Sequence, residues 1–438
     1  MSGKTTITIA GKGGPVRGTV TVPGDKSISH RALMIGSLAR GRTEITGLAD
    51  GADVASTAAA LRALGATIET SAGKTSVRCE KLIRPPGAID AGNSGTTARL
   101  LAGVLSAQPF ESIITGDRYL KKRPMERVIT PLSLMGASIS SEGGRLPLRI
   151  KGGKLSAIRY RMPVASAQVK SAIALAALFA DGDTTIVEPA KTRDHTEIML
   201  KHFGARITTA GAEVTVGGEG AEHLRGTEVE IPGDISSAIF LVAAALINPY
   251  PFIRVRNVGV NPTRTGAIDI LRKMGADIRL FDQRNWGGEP VEDIVVANIQ
   301  QGQISKQLNG IEIGGSEVPA AIDELPAIAA VACFARGTTV ISGAGELRVK
   351  ESDRISAMTE GLRNLGAKVE ETPDGMRIEG GVPLRGGTVN SAGDHRVAMA
   401  LAVAATGAEG ESRIEDADCV AISFPEFFQT LENLRGGK

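Results

Sequence analysis

A short stretch near the start of the chain combines cationic side chains with hydroxyl groups in a pattern that suits anion binding. It reads Gly24-Asp25-Lys26-Ser27-Ile28-Ser29-His30-Arg31-Ala32 and runs directly into an apolar helical pattern. The stretch therefore surrounds the N-terminus of a predicted helix, where unpaired N–H groups and the helix dipole favour an anion. Taken alone, it is explained equally well as a helix cap with a solvated Lys and Arg.

Polar residues precede five further apolar helical patterns in a similar style. They are Gly92-Asn93-Ser94-Gly95-Thr96, Ala165-Ser166-Ala167-Gln168, Gly233-Asp234-Ile235-Ser236, Ala321-Ile322-Asp323-Glu324 and Gly393-Asp394-His395-Arg396. Helix caps account for the Asp, Ser and Asn residues. They do not account for Lys26, Arg31, Gln168 or Arg396. Because corresponding helix ends of a repeat protein tend to share a face, we expect these six helix starts to converge on an anion-binding cleft.

A second set of polar residues opens other predicted helices. The set is Lys121-Lys122-Arg123-Pro124-Met125-Glu126-Arg127, Thr192-Arg193-Asp194-His195-Thr196 and Arg348-Val349-Lys350-Glu351-Ser352-Asp353-Arg354. Basic residues at a helix start oppose the helix dipole, so a repeated departure from this rule favours phosphate or carboxylate binding over a solvated charged face. No GxSxG elbow or P-loop is present. Asp323 and Glu351 are available for proton transfer.

The elements that position these residues follow from a repeated phrase, Leu-x-x-apolar-Gly-Ala. It occurs at residues 61–66, 132–137, 200–205, 271–276 and 362–367, and a shortened copy at 431–436 closes the chain. Each phrase predicts an amphipathic helix that ends at a Gly in the left-handed conformation and is followed by a strand.

Each amphipathic helix is preceded by a more apolar, Ala-rich one. These helices are predicted at Ala32–Ala39, Thr97–Leu105, Val169–Phe179, Ser237–Ile247, Ala327–Phe334 and Val397–Ala404. Because they are apolar on most sides, we expect them to be buried. Short strands rich in Thr, Val and Ile lie between the helices. Six such units, three per domain, predict two α/β lobes with helices inside and sheets outside. We interpret Phe281–Gly310, which contains Trp286, as an inserted polar loop.

Composition excludes several classes of function. A chain of 438 residues predicts two or three domains. Its 50 basic and 48 acidic residues nearly cancel, so no global field attracts nucleic acid or anionic lipid. The first residues lack a signal-peptide pattern and the longest apolar runs are too short for a membrane span, so we expect a cytoplasmic protein. Three distant Cys and five His indicate neither a disulfide framework nor a zinc site.

The polar segments closely resemble the signature segments of the 5-enolpyruvylshikimate-3-phosphate (EPSP) synthase family. The resemblance is carried in family order by residues 24–31, 92–96, 122–125, 348–354 and 394–396, and residues 165–170 with 192–196 resemble the bacterial class II branch. It implies a two-lobed inside-out α/β barrel of six βαβαββ repeats. Lobe I is expected to comprise residues 1–23 and 232–438 and lobe II residues 24–231, with the active site in the interlobe cleft. Pro-Gly-Asp at both crossings suits a hinge.

The resemblance also implies a reaction and its residues. The enolpyruvyl group of phosphoenolpyruvate would pass to the 5-hydroxyl of shikimate 3-phosphate, releasing phosphate. Shikimate 3-phosphate would be bound by Lys26, Ser27, Arg31, Ser166, Ala167, Gln168, Arg193, Asp323 and Lys350. Phosphoenolpyruvate would be bound by Lys26, Gly95, Arg123, Gln168, Arg354 and Arg396. Lys26, Asp323 and Glu351 would be catalytic. We expect the protein to be a monomer. We expect it to use no metal or cofactor and to bind neither nucleic acid nor a membrane.

Departures from the family pattern and two alternatives remain. Ile422 and Glu346 replace a Lys and an Asn of class I members, so neither receives a role. Gly95 stands where glyphosate-insensitive class II members have Ala, which predicts inhibition by glyphosate. One alternative is the sister enolpyruvyltransferase acting on UDP-N-acetylglucosamine, which has Lys-Asn in place of Lys26-Ser27 and a loop Cys that residues 110–123 lack. The other is a non-catalytic phosphometabolite-binding protein, which need not keep Asp323 and Glu351.

Overall fold

The computed structural model describes residues 5–12, 14–297 and 307–436. The chain divides into two compact units. Unit 1 comprises Met1–Pro23, Gly233–Arg284 and Pro290–Lys438, and unit 2 comprises Gly24–Pro232 with Asn285–Glu289.

The described residues form helices and strands in regular alternation. The helices are α1 (Lys26–Leu38), α2 (Ala52–Ala63), α3 (Gly95–Ser106), α4 (Glu126–Leu134), α5 (Ala167–Ala177), α6 (His195–His202), α7 (Ile235–Ile247), α8 (Gly266–Lys273), α9 (Glu317–Ala321), α10 (Leu325–Ala332), α11 (Arg354–Asn364), α12 (His395–Thr406) and α13 (Phe427–Leu434). The strands are β1 (Ile7–Ile9), β2 (Arg17–Thr21), β3 (Arg42–Thr46), β4 (Thr67–Ser71), β5 (Lys74–Arg78), β6 (Ile89–Asp90), β7 (Glu111–Thr115), β8 (Ser138–Glu142), β9 (Arg145–Lys151), β10 (Arg159–Arg161), β11 (Thr184–Val187), β12 (Ile207–Ala210), β13 (Glu213–Val216), β14 (Glu228–Glu230), β15 (Phe252–Gly259), β16 (Ile278–Trp286), β17 (Glu289–Ala297), β18 (Glu312–Ile313), β19 (Thr338–Ile341), β20 (Lys368–Thr372), β21 (Gly375–Glu379), β22 (Thr388–Asn390) and β23 (Ser412–Glu415).

Unit 2 contains three four-stranded sheets, ordered β14-β3-β5-β4, β6-β7-β9-β8 and β10-β11-β13-β12. In each sheet the first two strands are parallel and the last two form an antiparallel hairpin. A buried helix connects the parallel strands of the second and third sheets, as a parallel pair requires a crossover. Strand β14, from the end of the unit, completes the sheet whose other strands follow α1.

Unit 1 repeats this plan with one variation. Its four-stranded sheets are β16-β17-β15-β2 and β18-β19-β21-β20, and its third sheet is β1-β23-β22. In the third sheet β1 pairs antiparallel with β23 and takes the place of the hairpin, because the sixth repeat ends with α13. The prediction of six repeats, three in each unit, is thereby confirmed, and the sixth repeat departs from the βαβαββ pattern by lacking its hairpin.

The apolar helices form the cores of the two units. Helices α1, α3 and α5 contribute to one hydrophobic cluster, and α7, α10 and α12 contribute to the other. In α7, every residue from Ile235 to Ala245 is buried, as its nearly uniform apolar sequence requires. Strands alternate instead, and β9 buries every second residue over Arg145–Lys151. Helices therefore lie inside and sheets outside in each unit, as predicted.

The Gly of the repeated phrase ends each amphipathic helix in the left-handed region. Its φ is +97° at Gly65, +112° at Gly136, +95° at Gly204, +105° at Gly275, +88° at Gly366 and +85° at Gly436. This conformation is open to Gly at little steric cost, which explains its recurrence.

The interpretation of Phe281–Gly310 as a polar loop is wrong for residues 281–297, whereas residues 307–310 form only an isolated bridge, at Asn309. Residues 281–297 lie mostly in the neighbouring strands β16 and β17, while 298–306 lie outside the described residues. The buried Asp293 carboxylate accepts hydrogen bonds from Nε of Arg254 at 2.7 Å and the N–H of Asn257 at 2.9 Å. These contacts between β17 and β15 explain why so polar a segment is ordered as a sheet. Within the described part of the chain, no helix has the length and apolar character needed to cross a membrane.

Candidate active site

The start of α1 presents Lys26 beside a carboxylate of α2. Asp25 caps the helix, its Oδ1 accepting a hydrogen bond from the N–H of Ile28 at 2.9 Å. Nζ of Lys26 lies 3.2 Å from Oδ2 of Asp53, and the two side chains are 14% and 8% exposed. Asp53 therefore fixes the direction of the ammonium group. Sequence reasoning missed it, since the pairing joins residues 27 positions apart.

Arg31 is buried one turn further along α1 and is held by three oxygen atoms. Its Nε donates to the Thr196 hydroxyl at 2.6 Å, its Nη2 to the Ser171 hydroxyl at 2.7 Å and its Nη1 to the Ser27 carbonyl at 2.8 Å. Burial lowers the pKa of Arg31 to about 10, and nearby Arg193 acts in the same direction. The structure thus brings Ser27, Arg31 and Arg193 into one region of unit 2.

The starts of α3 and α5 are joined through Gln168. Ser94 caps α3 and Ser166 caps α5, each through its hydroxyl. Nε2 of Gln168 donates to the Thr96 hydroxyl at 2.9 Å, and its Oε1 accepts a hydrogen bond from Arg99. Ala167, the first residue of α5, lies between Ser166 and Gln168. Three predicted residues therefore stand at one helix start.

Gly95 opens α3 between two guanidinium groups. A Cβ at Gly95 would lie 3.1 Å from Nη1 of Arg99 and 3.2 Å from Nη1 of Arg123. Arg99 also donates to the carbonyl of Pro124 at 3.1 Å, and Arg123 donates to Oδ1 of Asn93 at 2.6 Å. Sequence reasoning missed Arg99, although it lies four residues after Gly95 and hence on the same helix face.

In unit 1, Arg354 is the centre of a second set of predicted residues. It is the first residue of α11, and its side chain is 1% exposed. Its guanidinium group donates to Asp394 at 2.8 Å, Asp323 at 3.1 Å and Glu351 at 2.5 Å. Burial lowers the pKa of Arg354, but the three carboxylates raise it more strongly, so the net pKa lies above its ordinary value. Arg354 therefore remains cationic.

Two further cations face Asp323. Nζ of Lys350 lies 3.8 Å from Oδ1 of Asp323, and Nη2 of Arg396 lies 3.7 Å from Oδ2. Nη1 of Arg396 also donates to the Asp323 carbonyl at 3.1 Å. Asp394, which caps α12 through the N–H of Arg396, links this residue to Arg354. All five predicted residues of unit 1 thus form one cluster of alternating charge.

The two sets suit anions that carry both phosphate and carboxylate groups. Fixed guanidinium and ammonium groups at helix starts bind such groups by charge-assisted hydrogen bonds. Within residues 5–12, 14–297 and 307–436, no group of three or more His, Cys, Asp or Glu residues is placed to hold a metal ion.

Comparison with known proteins gives a consistent result. The family model for EPSP synthase (3-phosphoshikimate 1-carboxyvinyltransferase) matches residues 10–431. A 3-phosphoshikimate 1-carboxyvinyltransferase from Desulforamulus reducens is 50% identical over 425 residues, covering 96% of this chain and 97% of the relative. One from Pelobacter propionicus is 51% identical over 430 residues, covering 97% and 98%. The solved structure of EPSP synthase from Acinetobacter baumannii is 44% identical, with a TM-score of 0.86 and coverage of 98% and 97%.

Proposed function

The chain belongs to the EPSP synthase family, and on that premise we infer that it is a 3-phosphoshikimate 1-carboxyvinyltransferase of the class II type. It transfers the enolpyruvyl group of phosphoenolpyruvate to the 5-hydroxyl of shikimate 3-phosphate and releases phosphate. Relatives about 50% identical over nearly the whole chain carry the name of this activity, which favours it over the UDP-N-acetylglucosamine alternative. The retention of Asp323 and Glu351 weighs against a non-catalytic binding protein.

The residues of the site divide between the two substrates, and Lys26 and Gln168 contact both. Shikimate 3-phosphate is bound by Lys26, Ser27, Arg31, Ser166, Ala167, Gln168, Arg193, Asp323 and Lys350. Phosphoenolpyruvate is bound by Lys26, Gly95, Arg123, Gln168, Arg354 and Arg396. The close approach of Gly95 to the Arg123 guanidinium supports this division, because a side chain there would crowd the group that holds the phosphoenolpyruvate anion.

Proton transfer is assigned to Asp323, Glu351 and Lys26. Asp323 accepts the proton of the 5-hydroxyl group, and the hydroxyl oxygen bonds to C2 of phosphoenolpyruvate. At the same time C3 gains a proton from Glu351 or Lys26. Loss of a C3 proton and departure of phosphate then restore the double bond. The observation that carries this assignment is Arg354, which hydrogen bonds to the carboxylates of both Asp323 and Glu351. The fixed guanidinium groups stabilise charge on the tetrahedral intermediate.

We further propose that the enzyme acts as a monomer, as the family resemblance implies, and that it works in the cytoplasm. Its partners are then the two small-molecule substrates alone. Light scattering coupled to size-exclusion chromatography tests the monomer, and a stable dimer at micromolar concentration contradicts it.

Phosphate release tests the proposed function. The purified protein is expected to release phosphate when both phosphoenolpyruvate and shikimate 3-phosphate are present, and not with UDP-N-acetylglucosamine. Asp323→Asn and Glu351→Gln are each expected to lower kcat by about 100-fold or more, because each removes a proton-transfer group. Asp269→Asn, in an exposed carboxylate of α8, is the matched control and should retain wild-type kcat. If phosphoenolpyruvate releases no phosphate with either acceptor, shikimate 3-phosphate or UDP-N-acetylglucosamine, only the binding function remains.

A further inference from the structure

A buried cluster of three charged side chains in unit 2 has no part in the reaction described above. Lys170 of α5 is 1% exposed, and its Nζ lies 3.0 Å from Oε2 of Glu188 and 2.6 Å from Oε1 of Glu197. The two carboxylates are 2% and 7% exposed. Apolar side chains of similar volume often replace a buried ion pair without loss of stability. Packing alone therefore does not explain why three charges are buried at this point.

The cluster holds the backbone immediately before Arg193. Oε1 of Glu188 accepts hydrogen bonds from the N–H of Thr192 at 3.2 Å and from its hydroxyl. Nζ of Lys170 donates to the carbonyl oxygen of Thr192 at 3.4 Å. The N–H and the C=O of Thr192 therefore both bond to the cluster. Since Arg193 is the next residue, the cluster sets the position of its backbone.

The sequence neighbours of the cluster hold Arg31. Ser171 follows Lys170 on α5, and Thr196 precedes Glu197 on α6. Their hydroxyl oxygens lie 2.6 Å apart and accept hydrogen bonds from the Arg31 guanidinium at 2.7 and 2.6 Å. Burial lowers the pKa of Arg31, and the charge of Glu197 opposes that effect. The ion pair between Lys170 of α5 and Glu197 of α6 thus also fixes the two helices between which Arg31 is bound.

We propose that Lys170, Glu188 and Glu197 are positioning residues for shikimate 3-phosphate. They fix the side chain of Arg31 through Ser171 and Thr196 and the backbone at Arg193 through Thr192. Arg31 and Arg193 bind that substrate in the proposed function, on which this inference rests. Arg123, which binds phosphoenolpyruvate in the same proposal, is held separately by Asn93. Loss of the cluster therefore affects the two substrates unequally.

Steady-state kinetics with each substrate varied in turn tests the inference. Lys170→Met leaves the two carboxylates facing each other without their cation, so the segment carrying Arg193 should shift. We expect KM for shikimate 3-phosphate to rise about tenfold or more, while KM for phosphoenolpyruvate stays within about twofold of wild type. Lys12→Met is the matched control, because it removes a Lys–Glu pair of 2.8 Å whose side chains are 61% and 57% exposed. Its two KM values should equal those of wild type.

Thr192→Val is a milder variant that keeps the side-chain shape and removes only the hydroxyl bonded to Glu188. It should raise KM for shikimate 3-phosphate about threefold, which decides the question if Lys170→Met does not fold. Unchanged KM values in a folded variant, or equal rises for both substrates, overturn the inference. Wild-type protein that releases no phosphate overturns the proposed function instead, so the two failures are distinguishable.

Discussion

Gly95 determines how closely two arginine side chains approach the start of α3. A methyl group there would lie 3.1 and 3.2 Å from the Nη1 atoms of Arg99 and Arg123, so both guanidinium groups would have to move by a few tenths of an ångström. We predict that glyphosate inhibits the wild-type enzyme. In Gly95→Ala, the half-inhibitory glyphosate concentration and KM for phosphoenolpyruvate should each rise about tenfold, because displaced guanidinium groups form weaker charge-assisted hydrogen bonds.

Phosphate release at a series of glyphosate concentrations measures both quantities. Gly87→Ala is the matched control, since a Cβ at Gly87 meets no atom within 4 Å. Full wild-type activity at high glyphosate concentration would refute the first part of this prediction, and unchanged sensitivity of Gly95→Ala would refute the second.

His30 makes the stability of the fold depend on pH. Burial, together with the charges of Lys26 and Arg31, holds its pKa well below 6.5, and its Nδ1 lies 2.6 Å from the Thr57 hydroxyl. Below pH 6.5 the unfolded chain therefore binds a proton that the native state does not, and stability falls as the pH falls. Between pH 7 and pH 5, wild type should lose about 2 kcal/mol more unfolding free energy than His30→Gln.

Urea unfolding at both pH values gives this difference directly. His223→Gln, in an exposed histidine, should lose as much stability on acidification as wild type does. An equal loss in wild type and His30→Gln would show that His30 is protonated in the native state, contrary to the prediction.

At the level of residues, the sequence predicted the site where a charged or amide side chain stands at the start of a helix. Gln168 and Arg396 stand out because a helix cap does not need them, and Arg354 stands out because a basic residue at a helix start opposes the helix dipole. Arg99 could have been predicted by the same reasoning, from its position one turn after Gly95. Asp53 could not, because its role depends on the packing of α2 against α1, which no local pattern specifies.

At the level of elements, the terminal Gly of each amphipathic helix is the feature that the sequence predicts best. Gly366 adopts φ +88°, and the nearest atoms to a Cβ there are 3.8 and 3.9 Å away. A substitution would therefore be strained by the backbone conformation alone. Gly366→Ala should reduce the unfolding free energy by about 1 kcal/mol while leaving kcat unchanged.

Equilibrium unfolding in urea measures this change. Gly153→Ala serves as the control, because Gly153 lacks a positive φ and a Cβ there meets no atom within 4 Å. Its stability should equal or slightly exceed that of wild type, since Ala restricts the unfolded chain. Equal destabilisation by both variants would show that Gly366 acts through something other than its φ.

The elements that sequence reasoning missed depend on distant partners. Strand β16 exposes most of its residues, so it lacks the alternation that marks a half-buried strand. Its neighbour β17 pairs with β15, and a buried Asp293 bonds to that strand. Likewise β1 pairs with β23 at the opposite end of the chain. Helix caps and repeats are local in sequence, whereas these pairings are not.

At the level of the whole molecule, the described residues of each unit form a separate hydrophobic cluster and three sheets. The chain passes between the units at Pro23 and at Pro232, and each passage is fixed by a backbone hydrogen bond. The N–H of Asp25 donates to the carbonyl of Pro232 at 2.7 Å, and the N–H of Asp234 donates to that of Pro23 at 2.8 Å. Residues 24–232 are thus a continuous segment whose ends are tied together.

We therefore predict that a fragment of residues 24–232 folds alone, because it contains α1, α3 and α5 with all three of their sheets. It should unfold in one cooperative thermal transition by circular dichroism. Without Glu289 it loses the 2.7 Å contact with Nδ1 of the buried His195, so its stability should increase when residues 285–289 are supplied. It should release no phosphate, since it lacks Asp323, Glu351 and Arg354.

A fragment of residues 24–158 is the matched control. Without β14 its first sheet is incomplete, so it should show no cooperative thermal transition. A non-cooperative 24–232 fragment would mean that the core of unit 2 depends on the rest of the chain.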